Sequence, residues 1–438
     1  MSRKIPLLTL LVIFSLPAFS TIYYVATDGT NTNAGTKSRP FKTIQRAQDA
    51  VVPGDTVYIR GGRYLMSDDQ IAAFSGIWAN VTNINKSGQP GKRIHYWAFP
   101  GEQPVFDYSN VKPANYRISA FSVSASWIHF KGLELVGVQV TITTHTQSEF
   151  FSNYGSNNIY ERCSMHDSQG IGFFLRTGSN NLILNCDAYG NYDYTSEGGR
   201  GGNSDGFGSH PSKGSVNNVF RGCRAWFNSD DGYDCINASE ATVFENCWAF
   251  YNGYSSAFKS LGDGNGFKVG GYAYRPASEV STPIPRNVTS FCLAVNNKAN
   301  GFYANHHREG NDWYNNTAYM NAINYNMLNR LTDNSADVPG FNHIMRNNLG
   351  YAARNRELSN LDSSKCDIRN NYFNLPVSVT ADDFITLDTA FLVAPRQPDG
   401  SLPKNGFMSL KSTSDLIDKG EKIKYPFKGT APDLGCFE

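Results

Sequence analysis

Apolar residues recur in this chain in short groups, and the groups hold a common phase over much of its length. With Cys163, Cys186, Cys223, Cys247 and Cys292 aligned, Ile159, Leu182, Val219, Val243 and Val288 fall four residues earlier. Met165, Ala188, Ala225, Ala249 and Ala294 fall two residues later. Five residues after the cysteine stand Asn191, Asn228, Asn252 and Asn297, with Ser168 in the first copy; a sixth copy carries Asn316, Ala318 and Asn321. The copies are 23, 37, 24, 45 and 24 residues apart. A recurring unit of this size marks a stacked architecture. The short intervals fit one turn of a parallel β-helix, and the long ones the same turn with loops inserted. Equivalent residues on neighbouring turns then lie about 4.8 Å apart. The predicted fold is all-β, a parallel β-helix, with the cysteines a buried column of free thiols and the asparagines a hydrogen-bonded ladder at a corner.

A second strand follows each asparagine corner, announced by Asp-Gly or Asn-Gly and then an aromatic. Gly206-Phe207, Gly232-Tyr233, Gly266-Phe267 and Gly301-Phe302 align, and Asn324-Tyr325 extends the series. Alternation turns Phe207, Tyr233, Phe267 and Phe302 inward and Gly208, Asp234, Lys268 and Tyr303 outward. Asp234 and Lys268 therefore share one exposed column on neighbouring turns. Asp205, Asp231, Asn265 and Asn300 form another column at the corner. Upstream, Tyr23–Asp28 and Thr56–Arg60 read as strands, and residues 93–140 as several more. Between the first two, Phe41–Val51 has helical apolar spacing with Pro40 near its start, which predicts a short helix capping the open end of the coil. Beyond about residue 331 the phase is lost. Residues 21–438 read as a single β-helix catalytic domain with an irregular C-terminal region, in which Asp382, Asp383 and Asp388 read as solvated turns.

Composition narrows the function. The 438 residues carry a formal charge of +1, so no global field calls for nucleic acid or an anionic membrane surface. Arg3 and Lys4, the apolar run Ile5–Leu16 and the small-residue site Ala18-Phe19-Ser20 make residues 1–20 an export signal too short to span a bilayer. A periplasmic or secreted monomer is expected, not lipid-anchored, since no cysteine follows the cleavage site. Eight cysteines in an exported chain would ordinarily suggest disulfides, but five of them are absorbed by the repeat. Cys366 and Cys436 fall outside it, which leaves their state open.

The chemistry concentrates between Asp205 and Lys268. A lone Asp-Gly is most simply a turn. Asp205, Asp230, Asp231 and Asp234 converging on adjacent turns would repel one another unless a cation held them. An all-oxygen set without histidine or cysteine suits calcium. Lys268, beside Asp234, is the candidate general base: a nearby calcium and partial burial would lower its pKa, whereas a simple salt bridge to Asp234 would raise it. Such a pair suits β-elimination in a uronic-acid polymer, with loss of the C5 proton and of the C4 oxygen. A calcium site that only stiffens the coil is the competing reading. Arg200, His210, Lys213, Lys259, Arg275, His306 and Arg308 lie on or near the flanking loops as candidates for sugar carboxylates, and Tyr303 as a stacking residue; plain surface roles compete for each.

The chain resembles polysaccharide lyase family 9, the right-handed parallel β-helix lyases acting on pectate and rhamnogalacturonan, which implies a right-handed coil. The resemblance covers most of the mature chain: Tyr-Tyr-Val-Ala-Thr-Asp-Gly-Thr-Asn and Pro-Phe-Lys-Thr-Ile-Gln-Arg-Ala near the start, Pro-Gly-Asp-Thr-Val-Tyr-Ile-Arg-Gly-Gly-Arg-Tyr next, and Ala-Pro-Asp-Leu-Gly-Cys-Phe-Glu at the end. Its specific part is Asp205, then Asp230-Asp231-x-x-Asp234, then Gly-Phe-Lys268. It implies those four aspartates as calcium ligands, Lys268 as the Brønsted base, and an acidic pectic polysaccharide as partner. Rhamnogalacturonan I is slightly favoured over polygalacturonate because no dense basic cluster tracks consecutive charges. A polygalacturonase-type hydrolase is the rival; it needs two carboxyl groups spaced for water and leaves Lys268 without a role. A non-catalytic carbohydrate-binding coil is the third reading.

Overall fold

The computed structural model describes residues 20–438, so the expected export signal lies, apart from Ser20, outside the described residues. Three long sheets of twelve, ten and eleven strands wind around one core, and apart from the antiparallel hairpin of Ala73–Ser75 with Trp78–Ile84 at the edge of the third, strands paired within a sheet are one turn apart in sequence. In the first sheet Ile159, Leu182, Val219, Val243 and Val288 pair in register. Met165, Ala188, Ala225, Ala249 and Ala294 do so in the second. Phe173, Phe207, Tyr233, Phe267 and Phe302 do so in the third. All of these pairings are parallel, so the phase read from the sequence is the register of the coil.

Each column is filled by a side chain that can stack on its own kind. The cysteines line the corner between the first two sheets, and all eight in the chain are free, including Cys366 and Cys436. Cys186, Cys223 and Cys247 donate from Sγ to the carbonyls of Tyr160, Ile183 and Phe220 on the preceding turn, at 3.3 to 3.4 Å. At the next corner the side-chain amide of Asn191 donates to Asn228, Asn228 to Asn252, Asn252 to Asn297 and Asn297 to Asn321, each at 2.9 to 3.0 Å. An amide both donates and accepts, so the column satisfies its buried polar groups within itself. Inside the third sheet, Phe207, Tyr233, Phe267, Phe302 and Tyr325 stack face to face at 4.6 to 5.1 Å.

A further amide ladder, at the corner between the third and first sheets, escaped the sequence reading. It runs Asn158–Asn181–Asn218, and again Asn287–Asn311 to His343, through side-chain oxygens or ring nitrogen accepting backbone N–H groups. Its residues stand one position before the aligned Ile/Leu/Val, where Thr242 interrupts the series.

The helix spans Ile44–Ala50, shorter than the apolar spacing suggested, because Thr43 caps it by accepting from Arg46 N at 3.1 Å. Ile44 and Ala47 are buried, and the helix packs on the strands Ile22–Val25 and Trp78–Ile84 at the start of the coil. At the other end regular strands continue to Arg369, well past residue 331, because Asn348 and Asn371 carry on the column that Asn316 takes over from the cysteines. The remaining chain folds back along the second sheet, where Arg396 and Arg224 clasp Asp187 at 2.6 and 2.8 Å. Asp382 and Asp388 are exposed there, but Asp383 is buried and caps Thr380 N at 2.7 Å, contrary to the solvated role expected. No helix among the described residues is long and apolar enough to cross a membrane.

The ladder makes a direct demand on stability. Asn252→Ala strands a donor on Asn228 and an acceptor on Asn297 inside the core, and should cost on the order of 3 kcal/mol in urea unfolding. A thiol reagent added to the unreduced, unfolded protein should titrate eight groups.

Candidate functional site

The third sheet presents its chemistry through one irregularity. Successive residues of a strand normally alternate, yet both the glycine and the following aromatic turn inward here. A Cβ on Gly232 would lie 2.6 Å from the Gly266 carbonyl and 2.8 Å from Asn252 Nδ2, so the amide ladder and the next turn already fill that space. Gly266 is in the same position, 2.7 Å from the Gly301 carbonyl and 2.8 Å from Asn297 Nδ2. Two inward residues in a row leave two outward columns three positions apart. One holds Asp205, Asp231, Asn265 and Asn300; the other holds Gly208, Asp234, Lys268 and Tyr303 in register.

Both columns exist as expected, but they are not exposed. Asp231 is 0% exposed, Asp205 3%, Asp234 5% and Asp230 7%, and the Lys268 side chain 11%. The inserted loops 190–204 and 251–264 meet over the corner, Gly262 lying against the Gly201 carbonyl, which also accepts from Ser229 Oγ at 2.6 Å. Periodicity places a residue on a face; it does not tell what folds over that face.

Within this pocket each carboxylate commits one oxygen to the backbone. Oδ1 of Asp231 accepts from Asn265 N and Nδ2, both at 2.7 Å. Oδ1 of Asp205 accepts from Asp231 N, that of Asp234 from Ile236 N, and that of Asp230 from Asp263 N. The Lys268 ammonium sits 2.9 Å from Asp231 Oδ2, 3.3 Å from Asp234 Oδ2 and 3.9 Å from Asp263 Oδ2. Asp231 Oδ2 is buried and accepts no hydrogen bond, its contact with the ammonium being ionic only.

Burial and mutual repulsion dominate the electrostatics. Burial, then the neighbouring carboxylates, hold Asp205 and Asp230 well above the ordinary carboxyl range; burial pushes Asp231 up to about 6 despite Lys268. Burial alone would lower Lys268, but Asp231, Asp234, Asp230 and Asp205 outweigh it and raise the ammonium well above its usual value. This is the salt-bridge case named from the sequence; the lowered pKa expected there is conditional on calcium engaging the carboxylates. A divalent cation competing for the same oxygens would relieve both strains. The donor set fits one: oxygens of Asp205, Asp231 and Asp234 lie within 4.8 Å of one another, as do oxygens of Asp230, Asp231 and Asp263. Asp263 was not singled out from the sequence. It stands in the third Asp-Gly pair, Gly262-Asp263-Gly264-Asn265, but in an inserted loop out of repeat phase.

The other candidates separate into two groups. His210 stacks on Phe174 at 4.6 Å, with its Nε2 buried and unpartnered, 3.3 Å from where a Gly208 Cβ would be. Tyr303 occupies the rung beside Lys268, edge-on to His306, whose Nδ1 is 2.7 Å from Asp337. Arg308 is buried in the turn that follows. Arg200, Lys213, Lys259 and Arg275 are exposed, and none of them ion-pairs with the carboxylate cluster as Lys268 does.

Residues 23–348 match the family described as "Pel9A-like, right handed beta helix region". Pectate lyase L of Dickeya dadantii is 33% identical over 95% of this chain and 90% of its own length. Pectate lyase PEL9 of Emericella nidulans is 26% identical over 88% and 91%. Among solved structures, a rhamnogalacturonan lyase superposes with a TM-score of 0.86 at 42% identity, covering 90% of this chain and 97% of that one. The pectate lyase Pel9A gives 0.77 at 32% identity, covering 96% of each.

The raised carboxyls fix a pH dependence. The folded pKa of Asp231 is about 6, and those of Asp205 and Asp230 lie well above the unfolded value near 4, so from about pH 4 to at least about 6 the fold holds protons that the unfolded chain has released. Their contribution to stability is therefore full below that window and is lost as pH rises. Calcium should raise Tm by several degrees more at pH 7.5 than at pH 4.5, and Asp231→Asn should flatten the difference. A calcium increment indifferent to pH would contradict the buried-carboxylate account.

Proposed function

The chain belongs to the Pel9A-like right-handed β-helix family, polysaccharide lyase family 9, and on that premise we propose that it is a calcium-dependent lyase that cleaves the rhamnogalacturonan I backbone by β-elimination. It is a polysaccharide lyase acting on pectin. The finer reading rests on one observation: a lysine nitrogen within 2.9 and 3.3 Å of two carboxylates in a buried all-oxygen cluster, on adjacent rungs of an outward column.

Asp205, Asp230, Asp231 and Asp234 would hold the calcium, with Asp263 at the rim. Bound there, calcium supplies charge withdrawal from a uronate carboxylate, which acidifies the hydrogen on C5. Lys268 takes that proton at Nζ. The electron pair left at C5 forms the C4–C5 double bond as the bond from C4 to the glycosidic oxygen breaks, and the departing oxygen takes a proton from solvent. The products are a 4,5-unsaturated uronide and a new chain end. The carboxylates orient the amine. With their charge engaged by the cation, burial of Nζ would favour the neutral amine that the step needs.

Rhamnogalacturonan I is preferred to polygalacturonate because the rungs flanking Asp234 and Lys268 carry no cation. Phe174 and Gly208 precede them and Tyr303 and Asn326 follow. A polymer in which uronates alternate with a neutral deoxyhexose suits such a floor. The 42% identity to a rhamnogalacturonan lyase supports the same preference. Residues 1–20 are assigned to export, and residues 21–438 act as one catalytic domain outside the cytoplasm.

Lys268→Ala should lower kcat on rhamnogalacturonan I by at least about a thousandfold while calcium affinity is kept or increased. Chelation should abolish the rise in ultraviolet absorbance from the unsaturated product, and calcium should restore it. A chelator-resistant enzyme releasing saturated ends would make it a hydrolase instead.

A further inference from the structure

We propose that Arg176 binds a second uronate on the floor that carries Lys268, taking the next carboxylate along the polymer; this rests on the chain being a lyase of an alternating uronate polymer. Register places the residue. Ser152, Phe174, Gly208, Asp234 and Lys268 stand on successive rungs of one outward column. Arg176 leaves the strand Ile171–Leu175 and turns back over that column. Its Nε donates to Ser152 Oγ at 3.0 Å, and the guanidinium lies 4.4 Å from the centre of the Phe174 ring. Phe174 leans over the next rung, its ring 2.8 Å from where a Cβ on Gly208 would be. The guanidinium thus stands two rungs before Asp234 on the same face, roughly 10 Å away.

The side chain is 25% exposed. Nε is used by Ser152 and one hydrogen of Nη2 by Glu149, but Nη1 donates to nothing among the described residues and is not enclosed. Arginines that serve the fold alone are used up: Arg224 and Arg396 each spend all three nitrogens on Asp187 and backbone carbonyls. Glu149 does not cancel the charge. It is fully buried, Arg117 as well as Arg176 draws on it, and burial raises its carboxyl against the pull of both. Trp78 and Phe174 lie over the guanidinium at 4.7 and 4.4 Å, so a ligand meets the in-plane edge. There Nη1 and the second hydrogen of Nη2 make a fork that suits a carboxylate. The interval suits the polymer too. Only uncharged Gly208 stands between Phe174 and Asp234, so the two carboxylate sites are a disaccharide apart, as uronates alternating with a neutral sugar require.

Arg176→Gln alone would strand Glu149, so the test compares two proteins that both lack the buried ion pair. One is Lys268→Ala with Glu149→Gln, and the other adds Arg176→Gln, both in calcium. The ligands are rhamnogalacturonan oligosaccharides of one length, with two carboxylates or with one of the two reduced to the alcohol. Calorimetry should show Arg176→Gln weakening the two-carboxylate ligand by roughly 10- to 100-fold, and the one-carboxylate ligand by less than about twofold. Glu149→Gln by itself should leave the two-carboxylate ligand bound as tightly or more so, since it frees the fork. Equal weakening of both ligands, no weakening of either, or Glu149→Gln costing as much as the added Arg176→Gln would each overturn the assignment. Wild-type protein that releases no unsaturated product from any pectic polymer would instead overturn the reading on which it rests.

Discussion

In this fold every side chain meets its counterpart on the next turn about 4.8 Å away, so a column persists only if its residue tolerates its own kind. Amides do so because each donates to one neighbour and accepts from the other, as Asn228, Asn252 and Asn297 show. Thiols do so by bonding back to carbonyls, and aromatic rings by stacking. The core is thus a set of self-complementary columns, and most of its polar groups are satisfied without water.

Carboxylates are the one residue type in these columns that fails the rule. Asp205 and Asp231 are vertical neighbours, as Asp231 N donating to Asp205 Oδ1 makes plain, and burial makes their repulsion worse. The column recovers its neutrality immediately afterwards: Asn265 donates to Asp231, and Asn300 to Asn265. The violation is confined to two turns and is surrounded by amides that fix its oxygens. Local frustration held by a rigid scaffold is the arrangement expected of a functional site.

Sequence made the scaffold legible because the columns repeat. The cysteine, asparagine and phenylalanine phases alone determine the register of three sheets, and hence that Asp234 and Lys268 are neighbours. The ladder through Asn158, Asn181 and Asn218 was equally written there, one place before the aligned Ile/Leu/Val, but Thr242 broke its regularity. What repetition does not encode is the content of the insertions. Asp263 sits in one, and two of them bury the carboxylates, turning a column read as exposed into an enclosed one in which carboxylate charge outweighs burial at Lys268.

That balance carries the physical logic of the proposed reading. On it, Lys268 and a divalent ion would compete for Asp231 and Asp234 and for the same negative field. With the field on the amine, the ammonium is stabilised and no base is available. With the field on the ion, the amine loses the charges that raise its pKa, while burial, which favours the neutral form, remains. On the proposed reading, binding the metal and creating the base would be one event, written in two residues three apart in sequence and a third one rung away.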